Sequence, residues 1–271
     1  MRLGSGGSVA PWTCTLGRWI AILACCIQLT ACGVLHNARM WAPQTSGMVQ
    51  DGAGLYVEAS LSPEERRTLR HEIELGRAQV GQFFGDLKTN PYIVACASNE
   101  CAARFGSYGE RAAAFGDTAI RLSPNGWTAA LVAHEWVHAE VYYRVGGFWR
   151  INAIPRWFDE GVAVVVANES RHSQQNWQEI VRLRLRTPAL DALTTRSGWV
   201  GALHQFGETR VDDPDNLRVV YSTAGHALRS WMVCAGPNGV LRLLEAVRQG
   251  EVFEVVFTRL GRDCLASIPY P

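Results

Sequence analysis

The sequence has little lysine, no excess of charge of either sign and no apolar run long enough to span a bilayer. Lys88 is the only lysine among 26 basic residues, which we attribute to a genomic coding bias toward arginine. A formal net charge of +1 provides no basic excess to neutralise phosphates, so composition excludes a case for nucleic acid as a partner. With 271 residues, 48% of them hydrophobic, the chain can form a buried core and is neither disordered nor collagen-like.

The N-terminal residues are typical of an export signal. Arg2 and Arg18 precede an apolar run, Trp19–Ala31, that is shorter than the roughly 20 residues of a spanning helix but suits a signal peptide. The run ends in Leu29-Thr30-Ala31-Cys32-Gly33, which resembles the bacterial lipobox. That resemblance implies a signal peptide over 1–31 and a lipidated Cys32 as the first mature residue. The alternative is an ordinary signal peptide or an uncleaved anchor with an incidental cysteine.

An exported lipoprotein is therefore predicted, held at a membrane by its N-terminal lipid while the rest remains soluble. Residues 32–54 are polar, irregular and glycine-containing, so we predict a lipidated N-terminus and linker there. Gly33 is not the aspartate associated with inner-membrane retention. In a Gram-negative source we therefore expect the outer membrane, facing the periplasm.

Cleavage leaves Cys96, Cys101, Cys234 and Cys264 beside the lipid carrier. Four thiols in an oxidising compartment suggest two disulfides, for which three pairings are possible. We favour Cys96–Cys101 and Cys234–Cys264, because each pair lies within one local segment. The rival interpretation is a zinc site, but the spacings are not those of paired CxxC motifs.

Strand patterns come early in the chain and helix patterns late, which predicts an α+β fold. A Ser62 cap, Pro63 and Glu65 begin a helix that Gly85 ends. The predicted strands are Leu55–Ala59, Tyr92–Ala95 and Thr118–Leu122, and the later helices are Trp127–Val145, Pro155–Asn168, Gln174–Arg186, Ser222–Val233, Gly239–Gln249 and Val252–Leu260. Trp127, Trp136 and Trp157 are expected in the core.

An HExxH motif, His134-Glu135-Trp136-Val137-His138, stands within the central predicted helix. Residues four apart share one helix face, so both imidazoles can bind the same metal ion. Glu135 lies beside that face and can act as a general base without being a ligand. The alternative is two packed or exposed histidines with a surface glutamate between them.

A catalytic zinc needs a third protein ligand and one open position. Glu160 follows His138 by 22 positions, enough for a loop and an antiparallel helix whose first turn faces the histidines. Asp159 is the competing ligand. The histidines His36, His71, His172, His204 and His226 carry no such pattern and are expected to be structural.

HExxH followed by Pro155-Arg156-Trp157-Phe158-Asp159-Glu160-Gly161-Val162-Ala163 resembles the gluzincin zinc metallopeptidases, specifically the bacterial peptidase-MA-like group. The resemblance runs from about Leu55 to Gly261. It implies a zincin-like domain over 55–271, with an N-lobe to about 147 and a C-lobe from about 148. It also implies Zn2+ bound by His134, His138 and Glu160, and Glu135 as the base.

The resemblance further implies that Thr118–Leu122 is an edge strand pairing with a peptide substrate, and that Tyr221 donates a hydrogen bond to an oxyanion. A packing role for Tyr221 is the plainer alternative. Val164 stands where thermolysin-like members have an aspartate that orients the first histidine. The sequence thus predicts a lipid-anchored zinc peptidase acting on peptides or proteins. The alternatives are a non-catalytic envelope binding or assembly lipoprotein on the same scaffold, and a zinc hydrolase of a non-peptide amide or ester.

Overall fold

A computed structural model describes residues 39–208, 218–236 and 238–262. A five-stranded mixed sheet in the order β1-β2-β3-β5-β4 supports a set of helices, which confirms the predicted α+β class. The strands are β1 (Met48–Gln50), β2 (Leu55–Glu58), β3 (Tyr92–Ala95), β4 (Ala112–Phe115) and β5 (Ala119–Leu122). Strands β2, β3 and β5 are parallel, and β1 and β4 pair antiparallel with β2 and β5.

The helices follow the predicted order, with additions. They are α1 (Pro63–Phe84), α2 (Asn99–Arg104), α3 (Ala129–Val145), α4 (Arg156–Ala167), α5 (Gln174–Arg182), α6 (Arg196–Gln205), α7 (Val219–Ala235), α8 (Gly239–Arg248) and α9 (Phe253–Leu260). The Ser62 capping box on α1 is confirmed: the Ser62 side chain accepts from the Glu65 amide and Glu65 accepts from the Ser62 amide. Folded structure begins before residue 55, since β1 and a buried Met48 lie in the segment predicted as linker.

The two faces of the sheet carry separate cores. On one face, Ile93, Ala95 and Ile120 pack against the buried stripes of α1, α3 and α4. On the other, Val94, Cys96 and Phe105 pack with Met48 under α2. This alternation is the period-2 pattern of a strand. Trp136 and Trp157 are buried as predicted, and Trp127 is partly buried against the larger core.

One predicted feature of the sheet is wrong. Strand β5, predicted as an edge strand over Thr118–Leu122, is an inner strand that pairs with both β3 and β4. The edge on this side of the described sheet is β4. Strand β4 precedes β5 in the chain and pairs with the side of β5 opposite β3. Both sides of β5 are therefore occupied, and β5 has no free edge for another peptide.

A disulfide joins Cys96 and Cys101, which confirms that predicted pair and excludes the two as thiolate zinc ligands. Cys234 is also disulfide-bonded. Cys264 lies outside the described residues, so the pairing Cys234–Cys264 stays a prediction. Disulfides are typical of exported or otherwise oxidising environments. Among the described residues, no helix combines the length and hydropathy needed to cross a membrane.

Glu140 is a buried carboxylate that fixes α3 to the loop before β3. Its side chain is fully buried and accepts hydrogen bonds from Lys88 N (2.8 Å), Thr89 N (2.7 Å) and Thr89 Oγ1 (2.8 Å). Arg144 Nε donates to the other oxygen at 2.8 Å. The loop amides and a cation are thus satisfied by one side chain.

Replacing Glu140 with alanine is expected to lower the free energy of unfolding by about 3–5 kcal/mol, because it leaves Arg144 and two loop amides without their partner. Urea denaturation of both proteins measures the change. The exposed Glu74→Ala on α1 is the control, expected within about 0.5 kcal/mol of wild type. Equal stability of Glu140→Ala and wild type would show that water replaces the carboxylate without cost.

Candidate metal centre

The α3 helix places both motif histidines toward α4. Thr128 caps α3 by accepting from the Leu131 amide, and Gly146 ends it in a left-handed conformation. Between these ends, His134 and His138 lie one turn apart with ring centroids 4.9 Å apart, and both are largely buried. The helix therefore presents two imidazoles to one point, as the i, i+4 spacing predicts.

Glu160, in the first half of α4, completes the group. Its Oε2 lies 3.2 Å from His134 Nε2 and 3.6 Å from His138 Nε2. Two ligands about 2.0–2.1 Å from a tetrahedral zinc lie about 3.3 Å from each other, so this spacing fits a shared metal ion. The three residues form a group whose ligand atoms lie within 4.8 Å of one another.

An orphaned oxygen supports the same conclusion. Glu160 Oε2 is buried and has no hydrogen-bond partner, although Glu160 Oε1 pairs with Arg156 Nη2 at 2.5 Å. Burial alone would raise the pKa of Glu160, but Arg156 and His138 more than offset this and hold the pKa well below its usual range. A buried, ionised and unsatisfied carboxylate oxygen beside two imidazole nitrogens fits a metal ion.

Asp159 is behind His138 and outside the ligand group. Its Oδ1 lies 2.9 Å from His138 Nδ1, and its Oδ2 pairs with Arg156 Nη1. Burial raises the pKa of Asp159, yet His138 and Arg156 outweigh it and keep the group ionised. An ionised Asp159 accepts the Nδ1 proton, so Nε2, which faces Glu160, is the nitrogen of His138 that can bind a metal once its own proton is displaced. Of the two adjacent acids, the geometry selects Glu160 as ligand.

Val164 has no polar atom with which to orient a histidine and instead packs between α4 and α7. It is fully buried, and a β-carbon at Gly225 on α7 would lie 2.5 Å from Val164 Cγ1. A β-carbon at Gly161 would similarly lie 2.9 Å from the Ala224 carbonyl oxygen. These two glycines let α7 approach α4 closely, and this packing brings Tyr221 beside the metal group.

Tyr221 lies near the start of α7, and aromatic rings surround it. Its ring stacks on His172 at 4.8 Å, meets Trp199 edge-on at 5.1 Å and lies 6.1 Å from the His134 ring. Burial, and then the charge of Glu160, raise the pKa of Tyr221 above its ordinary value, so its hydroxyl stays a donor. The structure thus brings Tyr221 to the histidines, and its catalytic role stays a prediction.

Glu135 is largely buried within the same helix turn. In the part of the chain that the structure describes, its carboxylate has no hydrogen-bond or ion-pair partner. It lies close enough to Arg156 and Tyr221 for its charge to raise the pKa of both. This unpaired acid is the group that the motif predicts as a base.

Two site residues were not predicted. Arg156 bridges Asp159 and Glu160 from one turn earlier on α4, and its i, i+3, i+4 spacing could have indicated this. His172, grouped with the structural histidines, packs under Tyr221, and no local pattern marks it. His204 is exposed, His226 stacks on Trp177, and His36 lies outside the described residues.

Burial keeps His172 neutral. It lowers the pKa of His172 to about 3, and Glu169, 3.6 Å from Nδ1, offsets it only in part. Between pH 6.5 and 3 the unfolded chain binds a proton at this histidine and the folded chain does not. Stability is therefore lost as pH falls through that window, by about 1.4 kcal/mol per pH unit.

His172→Phe keeps a ring under Tyr221 and removes the titration. In protein freed of metal with a chelator, we expect the wild type to lose about 2 kcal/mol more unfolding free energy than His172→Phe between pH 6.5 and 5.0. Urea titrations at both values measure this. The exposed His71→Asn should behave as wild type. An unchanged pH dependence in His172→Phe would show that His172 is protonated in the fold.

Comparison with known proteins adds one family. A family model described as "Protein of unknown function (DUF1570)" matches residues 128–198, which contain α3, α4 and the three grouped residues. No curated protein matches the chain. No solved structure matches it either. The chain is therefore similar to DUF1570 proteins over the segment that carries His134, His138 and Glu160.

Proposed function

We propose that this protein is a zinc-dependent hydrolase of the gluzincin type that cleaves peptide bonds in peptides or proteins. The observation that carries the proposal is the convergence of His134, His138 and the unsatisfied Glu160 Oε2, with Glu135 unpaired in the same helix turn. A structural zinc site would use four protein ligands, whereas three leave one position for water and substrate.

When bound, zinc would supply the Lewis acid that activates water and polarises the scissile carbonyl. Glu135 accepts the proton of the attacking water and passes it to the leaving amine, the role of a general base that then acts as an acid. The Tyr221 hydroxyl donates to the oxygen that gains negative charge. Asp159 holds His138 in the tautomer that leaves Nε2 free to bind metal.

The exposed edge for an extended substrate is β4. Its outer side has no partner among the described strands, and its inner side pairs with β5. Since α3 packs against β4, a peptide added to this edge lies along the helix that holds the ligands. Backbone hydrogen bonds supply affinity that depends little on sequence, which favours a peptide over a small ester.

The first test is metal content together with hydrolysis. Purified chain should contain close to one zinc, and a chelator should remove both zinc and cleavage of unfolded protein or peptidoglycan-linked peptides, with zinc restoring both. Chain purified without zinc that also fails to bind added zinc would overturn the proposal. Stoichiometric zinc with no cleavage in any peptide library would overturn the peptidase assignment and favour a binding lipoprotein or another amide or ester substrate.

We also propose that Cys32 carries the lipid and holds the protein at a membrane, which in a Gram-negative source is the outer membrane facing the periplasm. The lipobox-like Leu29–Gly33 supports this, and the Cys96–Cys101 disulfide agrees with export. Labelled palmitate should enter the wild type and not Cys32→Ala. Equal labelling of the two would overturn the anchor.

A further inference from the structure

An aromatic pair projects from the loop that follows α3. Phe148 and Trp149 are 70% and 88% exposed and contact each other edge-to-face with centroids 5.3 Å apart. Soluble proteins seldom leave two neighbouring large aromatic side chains in water without a partner for them. Trp149 also combines an apolar ring with an N–H donor, which suits a surface that is apolar on one side and wet on the other.

Among the described residues, Trp41 is the other exposed tryptophan and is 75% exposed. The preceding residue, Met40, accepts a hydrogen bond from the Tyr92 hydroxyl at the start of β3. The Tyr92 amide in turn donates to the Thr118 carbonyl at 3.0 Å, just before β5 begins. Trp41 therefore lies at the end of the sheet where the parallel strands β3 and β5 start.

Phe148 and Trp149 lie at that same end. The turn from β4 to β5 contains Gly116, and a β-carbon there would be 3.3 Å from the Tyr142 ring. A β-carbon at Gly147, next to Phe148, would be 3.5 Å from the same ring. One tyrosine thus joins the aromatic loop to the turn before β5, and the exposed rings share one end of the molecule.

Two arginines accompany these rings. Arg248 lies over the ring of Tyr143, 5.8 Å from its centroid, and the exposed Arg150 donates to the Val247 carbonyl. Neither forms an ion pair with a residue that the structure describes. Other charges nearby are the pairs Lys88–Asp86 and Arg144–Glu140, together with Asp117, Glu245 and, beside Trp41, Arg39 and Arg104. Aromatic rings with unpaired arginines match the headgroup region of a bilayer.

The lipid proposed on Cys32 indicates that the partner of this surface is a phospholipid bilayer. Arg39 follows Cys32 by seven positions, and seven residue steps span at most about 25 Å when fully extended. Arg39 is fixed to the fold, because its Nη1 donates to the Arg104 carbonyl at 3.0 Å. A lipid at Cys32 would therefore keep the described domain beside the bilayer, with Trp41 near the point of entry.

We propose that this end, defined by Trp41, Tyr143, Phe148 and Trp149, rests on the phospholipid surface that carries the anchor. The inference rests on the lipidation proposed for Cys32 and is independent of the hydrolase. Arg150 and Arg248 meet lipid phosphates, and the tryptophan rings enter the headgroup layer. The metal group, about 10 Å back along α3, is then held at a fixed height above the membrane.

The test measures tryptophan emission of the protein as it is purified from the cells that process it, in vesicles of phosphatidylethanolamine and phosphatidylglycerol brominated near the headgroup. Bromine quenches only tryptophans that reach the lipid. In the double variant Trp41→Phe, Trp149→Phe we expect quenching to fall at least about twofold from wild type. Trp177→Phe, which removes a ring stacked on His226, should leave it unchanged. Circular dichroism checks that each variant is folded.

Incorporation of labelled palmitate into the same samples tests the lipid anchor on Cys32 separately. Labelled protein with reduced quenching in the double variant supports both proposals, and labelled protein whose quenching the variant does not change overturns the surface alone. Unlabelled protein that is still quenched through Trp41 and Trp149 overturns the anchor and supports the surface. If quenching is absent and emission instead shifts with protein concentration, this end binds a second copy and the bilayer assignment is wrong.

Discussion

Replacing Glu135 with glutamine is expected to reduce turnover about 10²–10⁴-fold while the zinc content stays near that of wild type. Glutamine is nearly isosteric but cannot accept the water proton at neutral pH. The carboxylate of Glu135 is outside the group of three ligand atoms and has no ion-pair partner among the described residues, so its loss removes neither a ligand nor a structural contact.

Zinc content and kcat/KM on one cleaved peptide measure the two effects on the same preparation. Glu74→Gln, an exposed glutamate on α1, is the matched control and should retain wild-type turnover and zinc. Wild-type turnover in Glu135→Gln would place the base elsewhere. Loss of zinc together with turnover would mean that Glu135 supports the metal group instead of acting on water.

The elements that the sequence predicts well are those with local signals. The capping box at Ser62 and the apolar stripe that follows it define α1 without reference to the rest of the chain. The spacing of His134 and His138 fixes a shared helix face in the same way. Glu160 was predictable because one helix, a loop and a returning helix bring it back to α3.

The missed elements lack such signals. Strand β4 reads Ala-Ala-Ala-Phe, which shows neither alternation nor branched side chains, and its position is stabilised by pairing with β5. Helix α6 contains Gly198 and Gly201, and its low amphipathicity hides it. The place of β5 inside the sheet depends on how β4 folds back, so sequence order alone suggested an edge.

The same limit applies around the metal group. Asp159 lies behind His138, and His172 lies under Tyr221. Both arrangements depend on contacts between elements that are separated in the chain. A pattern within one helix cannot state which of two adjacent acids faces the next helix. The sequence could therefore name both Asp159 and Glu160, while helix packing decides between them.

Glu160→Gln is expected to weaken zinc binding by more than about 10³-fold. It removes one of the three protein ligands. For comparison, structural zinc sites with a complete ligand set bind the ion with roughly 10–16 kcal/mol. It also removes the negative charge that faces the two imidazoles and Arg156, and with it the attraction of that charge for the metal ion. The fold retains Asp159 as a partner of Arg156, which limits the structural damage.

Asp159→Asn is expected to weaken binding about 10–100-fold, because an asparagine oxygen can still accept from His138 Nδ1 but supplies no charge. Competition with a chromophoric chelator measures both affinities. The rise in melting temperature on adding zinc gives an independent readout, since a ligand bound only by the folded state stabilises it in proportion to RT ln(1 + [L]/Kd). Glu74→Gln serves again as the unaffected control.

The order of the two effects distinguishes a ligand from the residue that positions one. A larger loss in Glu160→Gln than in Asp159→Asn is what Oε2 between two Nε2 atoms requires. The reverse order would make Asp159 the ligand and would require α4 to turn when metal binds. Equal, small losses would mean that zinc is held by the histidines alone, and a hydrolase with three protein ligands could not then be built on this group.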